Sequence, residues 1–420
     1  MLRPTDVYTP GKLPLAPTNV YAPRTRDDAQ RKLGKTLERG LVPLVFGEYG
    51  VGKTSMARYL RRAEEAAGRL VHIESVAGKS MADVLSQCLE KVGYTVQRKR
   101  VSSDSTHVGH EQSGQAKAGF AWLEAVIGSK RTRSQATGQT REEEVIVTSP
   151  TSSRVLEVCE ANGLVLLIDE LHKASDSFSE ELANFLKAYG NANCRAFKII
   201  LLGTASEATR LVTIDPGIDR LITEIHLRAM DETEACYVVE EGMKSLAIMV
   251  NTAEVRKLVD VCVGSPNILQ YLCLECAEAA WERRPRVVEP ADVANSLRDY
   301  VESREARLYR TYMAAIETVG DRRYRKQVLH AMAECEDEYV TMEQIRDGVT
   351  RKIGQTVPSS TLSGPLRDLK SPKYGPVLQD VKRPDASGRL ANYTVFVDPT
   401  LKAFVRLLAR KAAIVGEEKV

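Results

Sequence analysis

The sequence has no apolar run approaching the roughly twenty residues that a membrane-spanning helix needs. Its first residues, Met1 to Lys12, carry prolines and charges where a signal peptide would have an apolar core. Both shortages point to a cytoplasmic protein with no membrane partner. Paired cysteines are lacking too. The eight cysteines are scattered, mostly among apolar neighbours, as reduced core thiols are. Cys273-x-x-Cys276 is the only close pair, and it has no second Cys or His pair to complete a zinc site of four ligands.

Glutamate is missing from one long stretch. Between Arg346 and Lys411 there are thirteen Lys/Arg, five Asp and no Glu, a net of +8, while the whole chain carries only +3. The rest is therefore net negative. A basic C-terminal module on an acidic body suggests an anionic partner, DNA first. The bland alternative is a solvated surface with a positive bias. The remaining composition, 43% hydrophobic and 27% charged over 420 residues, is that of two or three ordinary globular domains.

What is present centres on Gly47-Glu48-Tyr49-Gly50-Val51-Gly52-Lys53-Thr54, followed by Ser55. It fits G-x-x-x-x-G-K-[ST], the phosphate-binding loop (P-loop) of nucleoside triphosphatases. The apolar run Leu41–Phe46 precedes it and a helix-forming stretch follows, which is the context the motif requires. Glycines let the backbone N–H groups turn inward on phosphate oxygens, and the helix adds its positive end. Lys53 is expected at the β- and γ-phosphates of ATP, and Thr54 at Mg²⁺.

Further apolar runs read as buried strands: Leu70–Glu74, Leu164–Ile168, Phe197–Thr204 and a short edge strand at Ile225–Leu227. Strands of this kind between helices predict an α/β fold with a parallel sheet covered on both faces. Asp169-Glu170 ends the third run. One carboxylate there can serve the metal, Asp169, and the other can orient an attacking water, Glu170. Thr204 ends the next strand, where it touches either the γ-phosphate or nothing more than a turn. Arg220 is placed to neutralise charge on the transferred phosphoryl group, or else pairs with Asp219 or Glu224. Residues 95–150 are polar, with basic clusters at Arg98–Arg100 and Lys130–Arg133. They are read as a β-hairpin insertion with mobile flanks.

After Asp231 the pattern is helical. Asp231-x-x-Glu234 and Asn251-x-x-Glu254 resemble capping boxes, and Glu289-Pro290 opens another helix. The last hundred residues run helix, helix, helix, hairpin, helix, an order that looks like a winged helix-turn-helix. Its third helix, Ser359–Lys370, offers Ser360, Arg367 and Lys370 to a DNA groove; the wing offers Lys382, Arg383 and Arg389 to phosphates. Pro365 falls inside that helix, where it removes a hydrogen bond. The same module also serves as a packing or protein-contact domain.

Together these motifs resemble AAA+ ATPases of the initiator and origin-recognition branch, the transposition regulators and STAND-type relatives. The resemblance covers about residues 15–300, and the tail extends it. Tyr21-Ala22-Pro23-Arg24 matches the segment lining the adenine pocket. Gly47–Thr54 matches Walker A and Leu164–Glu170 Walker B. Thr204 falls at sensor 1 and Arg220 at the arginine finger, acting within its own subunit or from a neighbour in a homo-oligomer. Gly264-Ser265-Pro266-Asn267 holds the sensor 2 place, with Asn267 where arginine is common and Pro266 against the nucleotide. An amide cannot give a charge-assisted bidentate contact to phosphate. The resemblance implies four regions: an N-terminal extended segment (1–23), an ATPase core (24–229), a helical lid (230–304) and a winged-helix domain (305–420). The implied function is an ATP-hydrolysing switch that engages DNA. The alternative is a signalling or defence ATPase whose winged helix contacts a protein encoded nearby. A small-molecule kinase is disfavoured, since no acceptor-site motif is visible.

Overall fold

The structure is a computed structural model describing residues 2–74, 76–95, 145–146, 152–203, 206–317, 324–335, 337, 339–384 and 390–415. The chain packs as two units. One gathers Arg31–Phe46 and Ala57–Ile225; the other gathers Met1–Gln30, Gly47–Met56 and His226–Val420. The loop Gly47–Thr54 thus belongs to a different unit from the strand that leads into it.

The first of these units is built on a sheet. Its strands are β1 (Val42–Phe46), β2 (Leu70–Ile73), β5 (Val165–Ile168), β6 (Lys198–Gly203) and β7 (Ile222–His226), in the order β2-β5-β6-β1-β7. β2 with β5, β5 with β6, and β6 with β1 all pair in parallel. β5 is buried along its whole length, and β6 at every position after Lys198. This is why they read as unbroken apolar runs: both faces are covered by helices. Burying each such Val, Leu or Ile is worth roughly 1.5–3 kcal/mol. The chain leaves β1 for the far edge at β2, then returns strand by strand, so β1 lies between two strands that come much later. That is the topological switch point at which open α/β sheets hold ligands beyond the carboxyl ends of their strands.

Helices are set by local signals. Ser80 accepts from the Asp83 N–H, and Asp83 returns a bond to the Ser80 N–H at 3.0 Å, which starts the helix Met81–Lys91. Its Met81, Val84, Leu85, Cys88 and Leu89 face the core at helical spacing. The Glu160 carboxylate accepts from the N–H groups of Ala196 and Phe197, which fixes the entry into β6.

Two short strands, β3 (Tyr94–Thr95) and β4 (Val145–Ile146), pair in parallel at the ends of the polar insertion. The hairpin expected within the insertion falls on residues outside the described ones. The rest of the insertion, with both basic clusters, lies outside the described residues.

The second unit is mostly helical. Helices Glu232–Ser245, Thr252–Cys262, Pro266–Trp281 and Pro290–Asp299 are followed by a wide turn at Tyr300–Arg304 and a helix Ala306–Ile316. Asp231 and Asn251 do cap their helices, accepting from the Glu234 and Glu254 N–H at 2.8 and 2.9 Å. The reciprocal half of each predicted box is not made: Glu234 turns to Arg24 and Glu254 to Lys257. Next come helices Arg325–Glu334, Met342–Ile353 and Ser359–Lys370, the antiparallel pair β8 (Leu378–Pro384) and β9 (Leu390–Phe396), and a last helix, Pro399–Val415. Val340 bridges to Thr394 beside the pair. The helix Ser359–Lys370 runs through Pro365, whose ring is buried. Leu258, Leu269 and Leu272 share one continuous apolar core with Val328, Leu362 and Val405, so the helical region and the tail are packed as one body.

The N-terminal segment is not simply draped on a surface. Val7 and Tyr8 are buried in that same core, and the Tyr8 hydroxyl donates to the Val239 carbonyl at 3.2 Å. A Cβ at Gly242 would fall 2.3 Å from the Tyr8 oxygen, so glycine makes the room.

Candidate functional site

The loop Gly47–Thr54 closes tightly. Gly47 adopts φ +156°, and a Cβ there would meet the Leu227 carbonyl oxygen at 2.1 Å, which no side chain tolerates. Gly52, at φ +94°, faces Pro266 and Arg24. The helix Lys53–Leu60 starts directly after, with its N-terminus at the loop. The Lys53 ammonium is folded back and donates to the carbonyls of Gly47 and Glu48 at 2.9 and 3.0 Å. Tyr49 stands out into solvent, 54% exposed.

In the sheet unit, Asp169 and Glu170 follow the last residue of β5. The registers Ile168↔Leu201 and Phe46↔Gly203 set them at the same sheet edge as the carboxyl end of β1. Asp169 Oδ1 accepts the Glu170 N–H at 2.7 Å, which turns Glu170 into a left-handed conformation, φ 51° and ψ 40°. A non-glycine residue held there costs of order 1 kcal/mol or more, a strain that clusters at functional positions. Glu170 Oε2 accepts from Lys173 at 2.8 Å.

Residues 37–212 match the family model of an AAA domain. That region has the AAA+ P-loop fold, a parallel sheet covered by helices. Solved structures similar to it include a Walker-type ATPase of Pyrococcus abyssi, at 16% identity over 94% of this chain and 98% of that one, TM-score 0.48. The ORC2 protein of Aeropyrum pernix, in ADPNP and ADP complexes, gives 14% identity over 98% and 100%, TM-score 0.48. Cdc6p from Pyrobaculum aerophilum gives 12% over 96% and 97%, TM-score 0.45. No curated protein shows a significant match.

Beside the AAA+ phosphate loop, Arg24 is a buried strut. Its guanidinium donates to Glu234 at 3.0 Å and to the carbonyls of Val51 and Arg228. Those donors hold the loop's shape, so the arginine read as a nucleotide contact is committed to the protein. Tyr21 donates to Gln30 at 3.0 Å. Pro266 opens its helix with its ring toward Gly52. Asn267, at the sensor 2 place, accepts from the Gly11 N–H at 2.8 Å. Its neighbour Gln270 accepts from Thr9 and donates to Val20. These amides fasten the N-terminal segment.

Arg220 lies exposed in a short 3₁₀ turn, Pro216–Leu221. Among the described residues it has no ion-pair partner; the nearby Asp215 is taken by Lys187 at 2.9 Å. Thr204 lies outside the described residues. In the tail, Ser360 and Arg367 are exposed on one face of their helix and Lys382 is exposed on β8. Lys370 pairs with Asp380 at 2.6 Å, so a residue read as a free groove contact is tied to the adjoining strand. Arg389 and the side chain of Arg383 lie outside the described residues.

Two features escaped the sequence. His72 on β2 brings Nε2, a buried atom, to 3.6 Å from Asp169 Oδ2, with no hydrogen-bond partner among the described residues. The pairing of β2 with β5 makes this contact, and no motif marks it. The other is Glu48. Its carboxylate accepts from Lys402 Nζ at 2.6 Å and from both terminal nitrogens of Arg406 at 2.7 and 2.8 Å. All three side chains are largely buried, 16%, 8% and 12% exposed. Arg406 also donates to the carbonyls of Ala333 and Cys335, and Lys402 to that of Asp337 at 2.7 Å. Burial would raise the Glu48 carboxyl, but the Arg406 bonds and the Lys402 charge outweigh it and hold it below its ordinary value. Burial lowers the Lys402 ammonium, and Glu48 offsets that only in part. A cavity of about 280 Å³ adjoins this cluster, with Glu48, His330, Glu334, Arg406 and Arg410 in its wall.

Proposed function

We propose that the protein is an ATP-binding and hydrolysing AAA+ switch that engages DNA through a C-terminal winged helix. The observation that carries the reading is the tight glycine loop, with Lys53 resting on the Gly47 and Glu48 carbonyls and a helix starting at the loop's end. Triphosphate oxygens would displace the Gly47 and Glu48 carbonyls as acceptors for Lys53. Thr54 and Asp169 offer hard oxygen donors, which suit Mg²⁺ when phosphates and water complete its shell. The metal would neutralise charge on the phosphates. Glu170 would orient the attacking water. Arg220, exposed and without an ion-pair partner among the described residues, suits a finger offered to a neighbouring copy.

The DNA reading is supported by the +8 tail, by Ser360 and Arg367 exposed on one helix face, and by Lys382 exposed on β8. The test is ATP-dependent binding of a duplex by the full chain, weakening steeply as salt rises. Lys53→Ala serves as the nucleotide-free control. A wild-type chain that binds no duplex with ATP and Mg²⁺ at low salt would refute it.

A second reading is a signalling ATPase whose winged helix makes protein contacts. It is favoured by the tail sharing one core with the helical region, as a packed module does. Charge reversal at Lys382, Arg383 and Arg389 separates the two. Loss of function together with DNA affinity supports the first reading; function retained without DNA affinity supports the second.

A further inference from the structure

We propose that Glu48 is a latch that couples the phosphate loop to the last helix, Pro399–Val415, holding the tail while Lys53 rests on the loop and loosening it when a nucleotide takes Lys53 away. This rests on the nucleotide-binding reading above.

Glu48 has two ends in use. Its carbonyl accepts from Lys53 at 3.0 Å, and its carboxylate accepts from Lys402 and Arg406. One residue therefore carries both the contact that a phosphate would replace and the contact that fixes the tail. Phosphate oxygens are charged acceptors and outcompete neutral carbonyls for an ammonium. Once Lys53 turns to them, the Gly47–Glu48 peptide loses its two bonds from that side chain. The neighbouring glycines, at φ +156°, +80° and +94°, leave the loop free to adjust.

The tail side is equally poised. Lys402 and Arg406 lie one helical turn apart and share a single carboxylate. Without that carboxylate they are two like charges in a largely buried place, and they repel. The adjoining cavity gives the Arg406 side chain somewhere to go. By linkage, whatever nucleotide does to the latch, the latch does to nucleotide affinity.

The test uses the full chain with ADP and a non-hydrolysable ATP analogue. Affinity is read by calorimetry, and the tail by hydrogen exchange of the backbone amides of Pro399–Val415. In the wild type, nucleotide should speed exchange in that helix by roughly fivefold or more. In Glu48→Gln, exchange should be fast already and unresponsive, and the nucleotide should bind tighter by a similar factor. Because that variant leaves two cations unpaired, Glu48→Gln with Lys402→Met and Arg406→Met serves as a second. It should also lose the response, without the repulsion. A wild type that binds nucleotide with no change in the helix overturns the latch alone. So does a Glu48→Gln chain that responds as the wild type does. A wild type that binds no nucleotide overturns both the latch and the reading beneath it.

Discussion

Glu170 sits in a backbone conformation that most residues avoid, and the bond from its own N–H to Asp169 holds it there. Of the two adjacent carboxylates, one stays at the strand end and the other turns out beyond it. Substituting Glu170→Gln keeps size and hydrogen bonding but removes the charge that the proposed mechanism uses to orient water. ATP binding is expected to persist while hydrolysis falls by about a hundredfold or more, measured as single-turnover phosphate release. Turnover near that of the wild type would place the base elsewhere. His72 adds a neighbour to Asp169 that no sequence motif announces, since the two meet only through the pairing of β2 with β5. Arg24 makes the converse point. Its motif placed it near the loop, and there it is, but each of its three nitrogens donates to the protein, to Glu234 and two carbonyls.

At the scale of elements, strands and helix starts were legible because their signals are local. Unbroken apolar runs such as Leu164–Ile168 become strands buried on both faces, and Asp231 and Asn251 cap as their residue types predict. The partners of Glu234, Glu48 and Lys370 were not legible. Each is decided by a residue on another element, 210 positions away for Glu234 and 354 for Glu48 with Lys402. Helix Arg325–Glu334 carries a related surprise in His330. Its Nε2 lies 2.8 Å from the Tyr312 hydroxyl, and burial, with Lys352 and Lys326 adding to it, pushes the imidazole from 6.5 down to about 4. The unfolded chain therefore binds a proton that the folded one refuses between these values. The stabilisation is fully present above pH 6.5 and is lost as pH falls towards 4, a change of order 2–3 kcal/mol. Urea unfolding from pH 7 to 4 should show it, and His330→Gln should flatten that slope. An unchanged slope would mean that His330 is protonated in the fold.

For the molecule as a whole, the composition and the glycine loop made an AAA+ fold readable, but not how the chain divides. The loop packs with the helical unit, and the strand before it packs with the sheet. The N-terminal residues likewise join the helical unit through Val7 and Tyr8. Tyr8→Ala should therefore cost roughly 3–5 kcal/mol in urea unfolding, as truncating a large buried aromatic does. A loss below 1 kcal/mol would return the segment to the surface. The burial of Tyr8 also bears on the order in which the chain is made. Tyr8 leaves the ribosome more than 230 residues before Val239 and Gly242. At about 5–20 residues per second, this tyrosine waits on the order of ten seconds or more for its pocket. This tyrosine is thus fastened only long after it has been made.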